Sequence, residues 1–172
     1  MIAVNVSANQ LARSNFVERL RRLLQDTGID PGLLELEVTE GVIIEGAGEA
    51  REALDHIASL GVGVAIDDFG TGYSGLAYLK RLPIDTVKID QSFVRDLTVD
   101  PDDAAIVTAI VAMSQSLGVD VVAEGVETEE QLAELKRLGC HRAQGYLLAA
   151  PMDAEAVTRM LEKVRGQTTV TM

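Results

Sequence analysis

Asp67 and Asp68 stand side by side where the apolar run "GVGVAIDDF" ends and a Gly70-Thr71-Gly72 turn begins. Two adjacent like charges either decorate a turn or hold something positive. Other apolar runs carry polar residues near their ends: Asn5 in "IAVNVS", Glu37 and Glu40 in "LLELEVTE", Lys88 and Asp90 in "TVKID", Glu124 and Glu127 in "VDVVAEGV", and Gln144 in "AQGYLL". Carboxylate and amide oxygens are hard ligands, suited to Mg²⁺, Mn²⁺ or Ca²⁺. No Cys/His pair has zinc spacing. An Asp-Asp pair suits two ions, because one aspartate can bridge both while its neighbour binds the second. Two ions roughly 3.5–4 Å apart can activate water and stabilise an in-line phosphoryl displacement. Lys88 could orient the attacking water or offset phosphate charge. A lysine at such a position can also form a Schiff base, but that chemistry needs no crowd of carboxylates.

The residues converge only if the elements carry them to one end. Each of the six β-branched runs is followed by a stretch of helical periodicity, including "NFVERLRRLLQDTG", "AGEAREALDHIASLG", "SGLAYLKRL", "PDDAAIVTAIVAMSQSLG", "TEEQLAELKRLG" and "DAEAVTRMLEKVRG". Strands alternating with helices imply a parallel sheet with helical crossovers. Asp100-Pro101 reads as a helix start, Thr128 with Gln131 as a capping box, and Gly28, Gly61, Gly118 and Gly139 as helix ends. Strand parity chooses between an open doubly wound sheet and a barrel. Ile2, Val4 and Val6 oppose Ala3, Asn5 and Ser7; Val87 and Ile89 oppose Thr86, Lys88 and Asp90. One apolar face for helices and one polar face rising to a site is the barrel pattern; helices on both faces would give more uniformly apolar strands. An eight-stranded barrel typically takes about 250 residues, whereas this chain has 172.

Bulk composition narrows the partners. Hydrophobic residues at 47 % and aromatics at 3 % give an aliphatic core. A net charge of −12 argues against binding a nucleic-acid polymer through a basic surface. Metal ions can still invert the local sign for an anionic ligand. Cys140 has no partner for an intrachain disulfide, and no apolar run is long enough to span a membrane. A cytoplasmic location is expected.

The motifs "NVS", "ELEVTE", "DDFGTGYSGLAYLKRLPIDTVKIDQSFV", "AEGVET" and "QGYLLAAP" occur together and in order. Over about Val4 to Pro151 the chain resembles the EAL family of cyclic di-GMP phosphodiesterases of bacterial signalling. The resemblance implies an α/β fold of the (β/α)8 TIM-barrel type, with about six parallel strand–helix units here. It implies a single EAL-type barrel domain over 1–165; the last residues, 166–172, read as a disordered tail. It implies a Glu-Ala-Leu segment ahead of Asn5, a hairpin and a helix carrying a metal-binding glutamate and a phosphate-contacting arginine. That segment is absent here, and its two strands would bring six to eight.

Carried over residue by residue, the resemblance assigns Asn5, Glu37 and Asp67 to a first Mg²⁺ or Mn²⁺. Asp67, Asp68 and Glu124 go to a second, with Asp67 bridging. Lys88 and Glu124 would handle the water, Gln144 would assist, and Glu40 and Glu127 would hold loops. Two readings stay open: a metal-dependent phosphodiesterase that opens cyclic di-GMP to the linear dinucleotide, or an inactive module for nucleotide binding or protein interaction. Open sheet edges predict a homo-oligomer through those edges or the barrel face, or a smaller closed barrel. The family's company predicts an upstream sensory or cyclase domain. Blander roles are expected for Asp90 as a cap of the helix or turn after it, Cys140 as a packed side chain and Arg19, Arg21 and Arg22 as a solvated helix face. Asp68 could simply cap its turn.

Overall fold

A computed structural model describes residues 1–45, 48–72 and 79–168. Six strands form its sheet: β1 (Ile2–Asn5), β2 (Leu34–Thr39), β3 (Gly63–Phe69), β4 (Thr86–Ile89), β5 (Asp120–Ala123) and β6 (Arg142–Ala143). They lie in sequence order, and every neighbouring pair is parallel. The order never reverses, as it would in a doubly wound sheet. The architecture is therefore of the (β/α)8 type, represented by six parallel strands. β1 and β6 do not pair with each other, so the alternative of a smaller closed barrel is not what forms.

The helices are α1 (Ala8–Leu11), α2 (Phe16–Thr27), α3 (Glu40–Glu45), α4 (Glu49–Ser59), α5 (Gln91–Arg95), α6 (Pro101–Leu117), α7 (Glu129–Arg137) and α8 (Ala154–Thr168). Their boundaries follow local chemistry. Asp100 accepts a hydrogen bond from the Asp102 N–H ahead of Pro101, and α6 ends on Gly118 in the left-handed region. Thr128 and Gln131 form a reciprocal capping box at α7. Two short helices were not expected. Ser7, assigned to the first strand by its pattern, instead caps α1 in a second capping box with Gln10. Glu40 opens α3 rather than closing β2. The expected helix over 74–82 lies largely outside the described residues, and α8 runs on through Thr168, into the stretch expected to fray.

The outward face of the central strands supplies the core. Val38, Val64, Ile66, Val87 and Ile89 pack with Leu54, Ile57, Val94, Val107, Val111 and Leu135, all essentially inaccessible. Each such side chain contributes roughly 1.5–3 kcal/mol by leaving water. This face does not stay buried to the end of the sheet. Ile2 and Val4, expected to meet helices, are 61 % and 43 % exposed because β1 is an edge strand. At the other edge β6 is shorter than "AQGYLL" suggests. Beyond it Gly145 passes tight against β5's continuation, where an added Cβ would lie 2.2 Å from the Val126 carbonyl oxygen. The chain then turns, with the Leu148 N–H donating to the Gly145 carbonyl at 3.0 Å. Among the described residues, no helix is long and apolar enough to cross a membrane.

Candidate metal centre

The inner face of the sheet is built in layers. In the lower one Glu35, buried and without a role assigned from sequence, accepts a hydrogen bond from the Thr86 hydroxyl at 2.7 Å. In the upper one the Lys88 ammonium, 5 % exposed, sits among three carboxylates. Its Nζ lies 2.8 Å from Glu37 Oε1, 2.9 Å from Asp67 Oδ1 and 2.6 Å from Glu124 Oε1. These acids come from β2, β3 and the residue after β5, so three strands meet on one cation.

β3 solves the problem of presenting two adjacent aspartates to one side. Alternation along a strand would send them to opposite faces. The β3–β4 register is Ile66 with Val87 and then Phe69 with Ile89, one extra residue on β3. This is a β-bulge, a device that re-aims a side chain. Asp68 lies inside β3 with φ 53, the positive-φ residue other than glycine among those described. As a result Asp67, Asp68 and Glu124 each offer an oxygen within 4.8 Å of the others. The bulge is tied down locally. Asp68 N–H donates to Asp67 Oδ1 at 3.1 Å, and the Thr71 hydroxyl donates to the Asp68 carbonyl at 2.8 Å. The Glu40 carboxylate reaches the same loop and accepts from the Gly70 N–H at 3.2 Å.

The electrostatics are those of crowded acids sharing one base. Burial alone would depress the Lys88 ammonium, but its hydrogen bonds to Glu124, Glu37 and Asp67 outweigh that and hold it above the usual lysine range. A charged amine is no nucleophile, which weighs against the Schiff-base reading. Glu124 is pushed up, by burial first, against the pull of Lys88 and with the help of Asp67 and Glu37. One ammonium divided among three acids cannot offset the burial of each, so the base and this acid are both raised. Asp68 is also raised, by burial and then by the charges of Asp67 and Asp90, with Lys88 opposing. Hard oxygens in excess of positive charge are the donor set that Mg²⁺, Mn²⁺ or Ca²⁺ takes.

The remaining residues divide. Gln144 Nε2 donates to Glu124 Oε1 at 2.5 Å. Asn5 pairs in register with Glu37 across the β1–β2 ladder and is exposed. Glu127 is exposed, and among the described residues its backbone is held rather than its carboxylate: its N–H donates to Gln131 Oε1 at 2.8 Å. Gln131 also receives the Thr128 N–H at 3.0 Å and donates to the Arg95 carbonyl at 3.1 Å. Sequence reasoning saw only its capping role. Asp90 does cap α5, accepting from the Ser92 N–H at 2.9 Å. Its charge also acts on Asp68, which the cap pattern gave no reason to expect.

A family model described as "EAL domain" matches residues 1–151. The chain belongs to the EAL domain family. The triplet Glu52-Ala53-Leu54 lies on α4, with Glu52 exposed and Leu54 in the core, and is not at a strand end. Among curated proteins, the EAL chain is 51 % identical over 154 residues to the bifunctional diguanylate cyclase/cyclic di-GMP phosphodiesterase MucR of Pseudomonas aeruginosa, covering 90 % of this chain and 22 % of MucR. The chain thus spans about a fifth of that relative. Among solved structures it matches the MucR phosphodiesterase in complex with c-di-GMP, at TM-score 0.88 and 50 % identity, over 91 % of this chain and 63 % of that one. It also matches the manganese/cy-diGMP complex of Klebsiella pneumoniae BlrP1, at TM-score 0.79 and 38 % identity, over 84 % of this chain and 37 % of that one.

Proposed function

We propose that this EAL domain serves a metal-dependent phosphodiesterase that hydrolyses cyclic di-GMP to the linear dinucleotide, with Mg²⁺ or Mn²⁺ as cofactor. The observation that carries the reading is the convergence of Asp67, Asp68 and Glu124 oxygens at the C-terminal ends of parallel strands, in a family whose relatives above act on or bind this nucleotide. Glu37 and Asp67, with Asn5, would hold one ion; Asp67, Asp68 and Glu124 would hold the other. Bound there, the ions would supply an activated water and neutralise charge on the phosphoryl oxygens. The chain's own residues set the frame for that chemistry. The bulge aims both aspartates inward, Glu40 steadies the loop beyond them, and Gln144 fixes the Glu124 carboxylate, which is placed to take a proton.

Incubation with cyclic di-GMP and Mn²⁺, with product separated by chromatography, tests the reading. The linear dinucleotide is expected from the parent, with at least a hundredfold less from Asp67→Ala, given what a metal ligand contributes. Equal turnover by both would reject it. The exposure of Asn5 on an unpaired edge favours a second reading, a module that binds cyclic di-GMP or a protein without turning it over. Calorimetric titration showing tight binding with no product would select that one. The same proposal places the chain in the cytoplasm, in company with sensory or cyclase domains, and self-associating through its open edges.

A further inference from the structure

We propose that α5 braces the two acid-bearing loops apart, with Phe93 and Gln91 as positioning residues that bear on the backbone beyond Asp68 and beyond Glu124. The short helix α5 follows β4 directly, and β4 lies between β3 and β5 in the sheet. Asp67 and Asp68 lie on β3, and Glu124 follows β5. Side chains two positions apart on a helix leave it about 200° apart. Gln91 and Phe93 therefore point to opposite sides of α5, one toward each flanking loop. Both meet a glycine. An added Cβ at Gly70, where φ is 99, would lie 2.9 Å from Phe93 Cε2 and 3.3 Å from Ile110 Cδ1. One at Gly125, where φ is 68, would lie 2.6 Å from Gln91 Cβ. Each loop thus rests its backbone on α5 with no side chain between, and the width of the helix sets the gap. The brace is itself anchored. Val94 and Leu97 are buried in the core, and Gln131 Nε2 donates to the Arg95 carbonyl at 3.1 Å. Close-packed interiors transmit such displacements, so a trimmed brace should let the loops drift together.

The inference rests on the proposed metal site only for the metal arm of its test. Hydrogen exchange followed by mass spectrometry in EDTA is compared among the parent, Phe93→Ala, Phe93→Leu, Gln91→Gly, Gln91→Ala and Val94→Ala. Phe93→Ala should speed exchange several-fold in the peptide containing Gly70, and Phe93→Leu should restore most of the protection. Gln91→Gly, which removes the contacting Cβ, should do the same at Gly125, whereas Gln91→Ala, which keeps it, should match the parent. Val94→Ala trims the same helix on its core side and should lower the melting temperature without singling out either peptide. Mn²⁺ binding, read from the electron paramagnetic resonance signal of the free ion, should weaken about tenfold in Phe93→Ala and hold at the parent's value in Val94→Ala. Parent-like exchange at Gly70 in Phe93→Ala, or Val94→Ala reproducing its effects, would overturn the inference. So would unchanged Mn²⁺ affinity in Phe93→Ala. If Phe93→Ala does not fold, Gln91→Gly decides: faster exchange confined to the Gly125 peptide supports the brace, and parent-like exchange overturns it. A parent that binds no Mn²⁺ would reject the metal reading and leave the exchange comparison to judge α5.

Discussion

Asp68 and Glu124 hold their protons to higher pH than ordinary carboxylates, burial being the first cause in both. An incoming cation must displace those protons. Apparent Mn²⁺ affinity should therefore rise with pH, approaching about tenfold per unit where one proton is released. Calorimetry from about pH 5 to pH 8 would measure the slope, and Glu124→Gln should make it shallower. The stability sign is the reverse of the usual acid case. A carboxyl raised on folding binds more protons in the folded state between its two pKa values, so its contribution falls as pH rises through that window. Without metal, these two groups oppose the gain in stability that paired carboxylates bring. Cys140 belongs to the same scale: buried, with its thiol pushed up by that burial, it is a packed side chain.

Elements were legible where periodicity and caps agreed. The parity of "TVKID" put Lys88 on the inner face, and the starts of α6 and α7 could be read from Asp100-Pro101 and Thr128–Gln131. What escaped was set by tertiary contact. No local signal marks the extra residue between Ile66 and Phe69, because it exists only against β4. β6 is shorter than its apolar pattern suggests, and the tight approach of Gly145 to Val126 beyond it is a contact that no local pattern announces. Gln131 shows the same limit: its cap is local, but its bond to Arg95 spans 36 positions. It is also testable. Gln131→Ala removes an acceptor from two N–H groups and the donor to Arg95 in a buried setting. The cost should be about 1–3 kcal/mol, read from urea unfolding, and a loss near zero would show that water replaces those bonds freely.

At the scale of the molecule the sheet has two unpaired edges and apolar groups beside them. Ile2 and Val4 are exposed on β1, and Tyr146, Leu148, Met160 and Leu161 on the side of β6 and α8. Unpaired edges and contiguous apolar surface invite pairing. Light scattering over a concentration series should show association, and Val4→Lys should reduce it; a monomer at every concentration would count against an oligomer. The strand order carries a different consequence. Each strand pairs only with its neighbours in sequence, so no interior strand waits for a distant partner. Pairing is therefore local along the chain: each strand's register is set by the strands immediately before and after it in sequence.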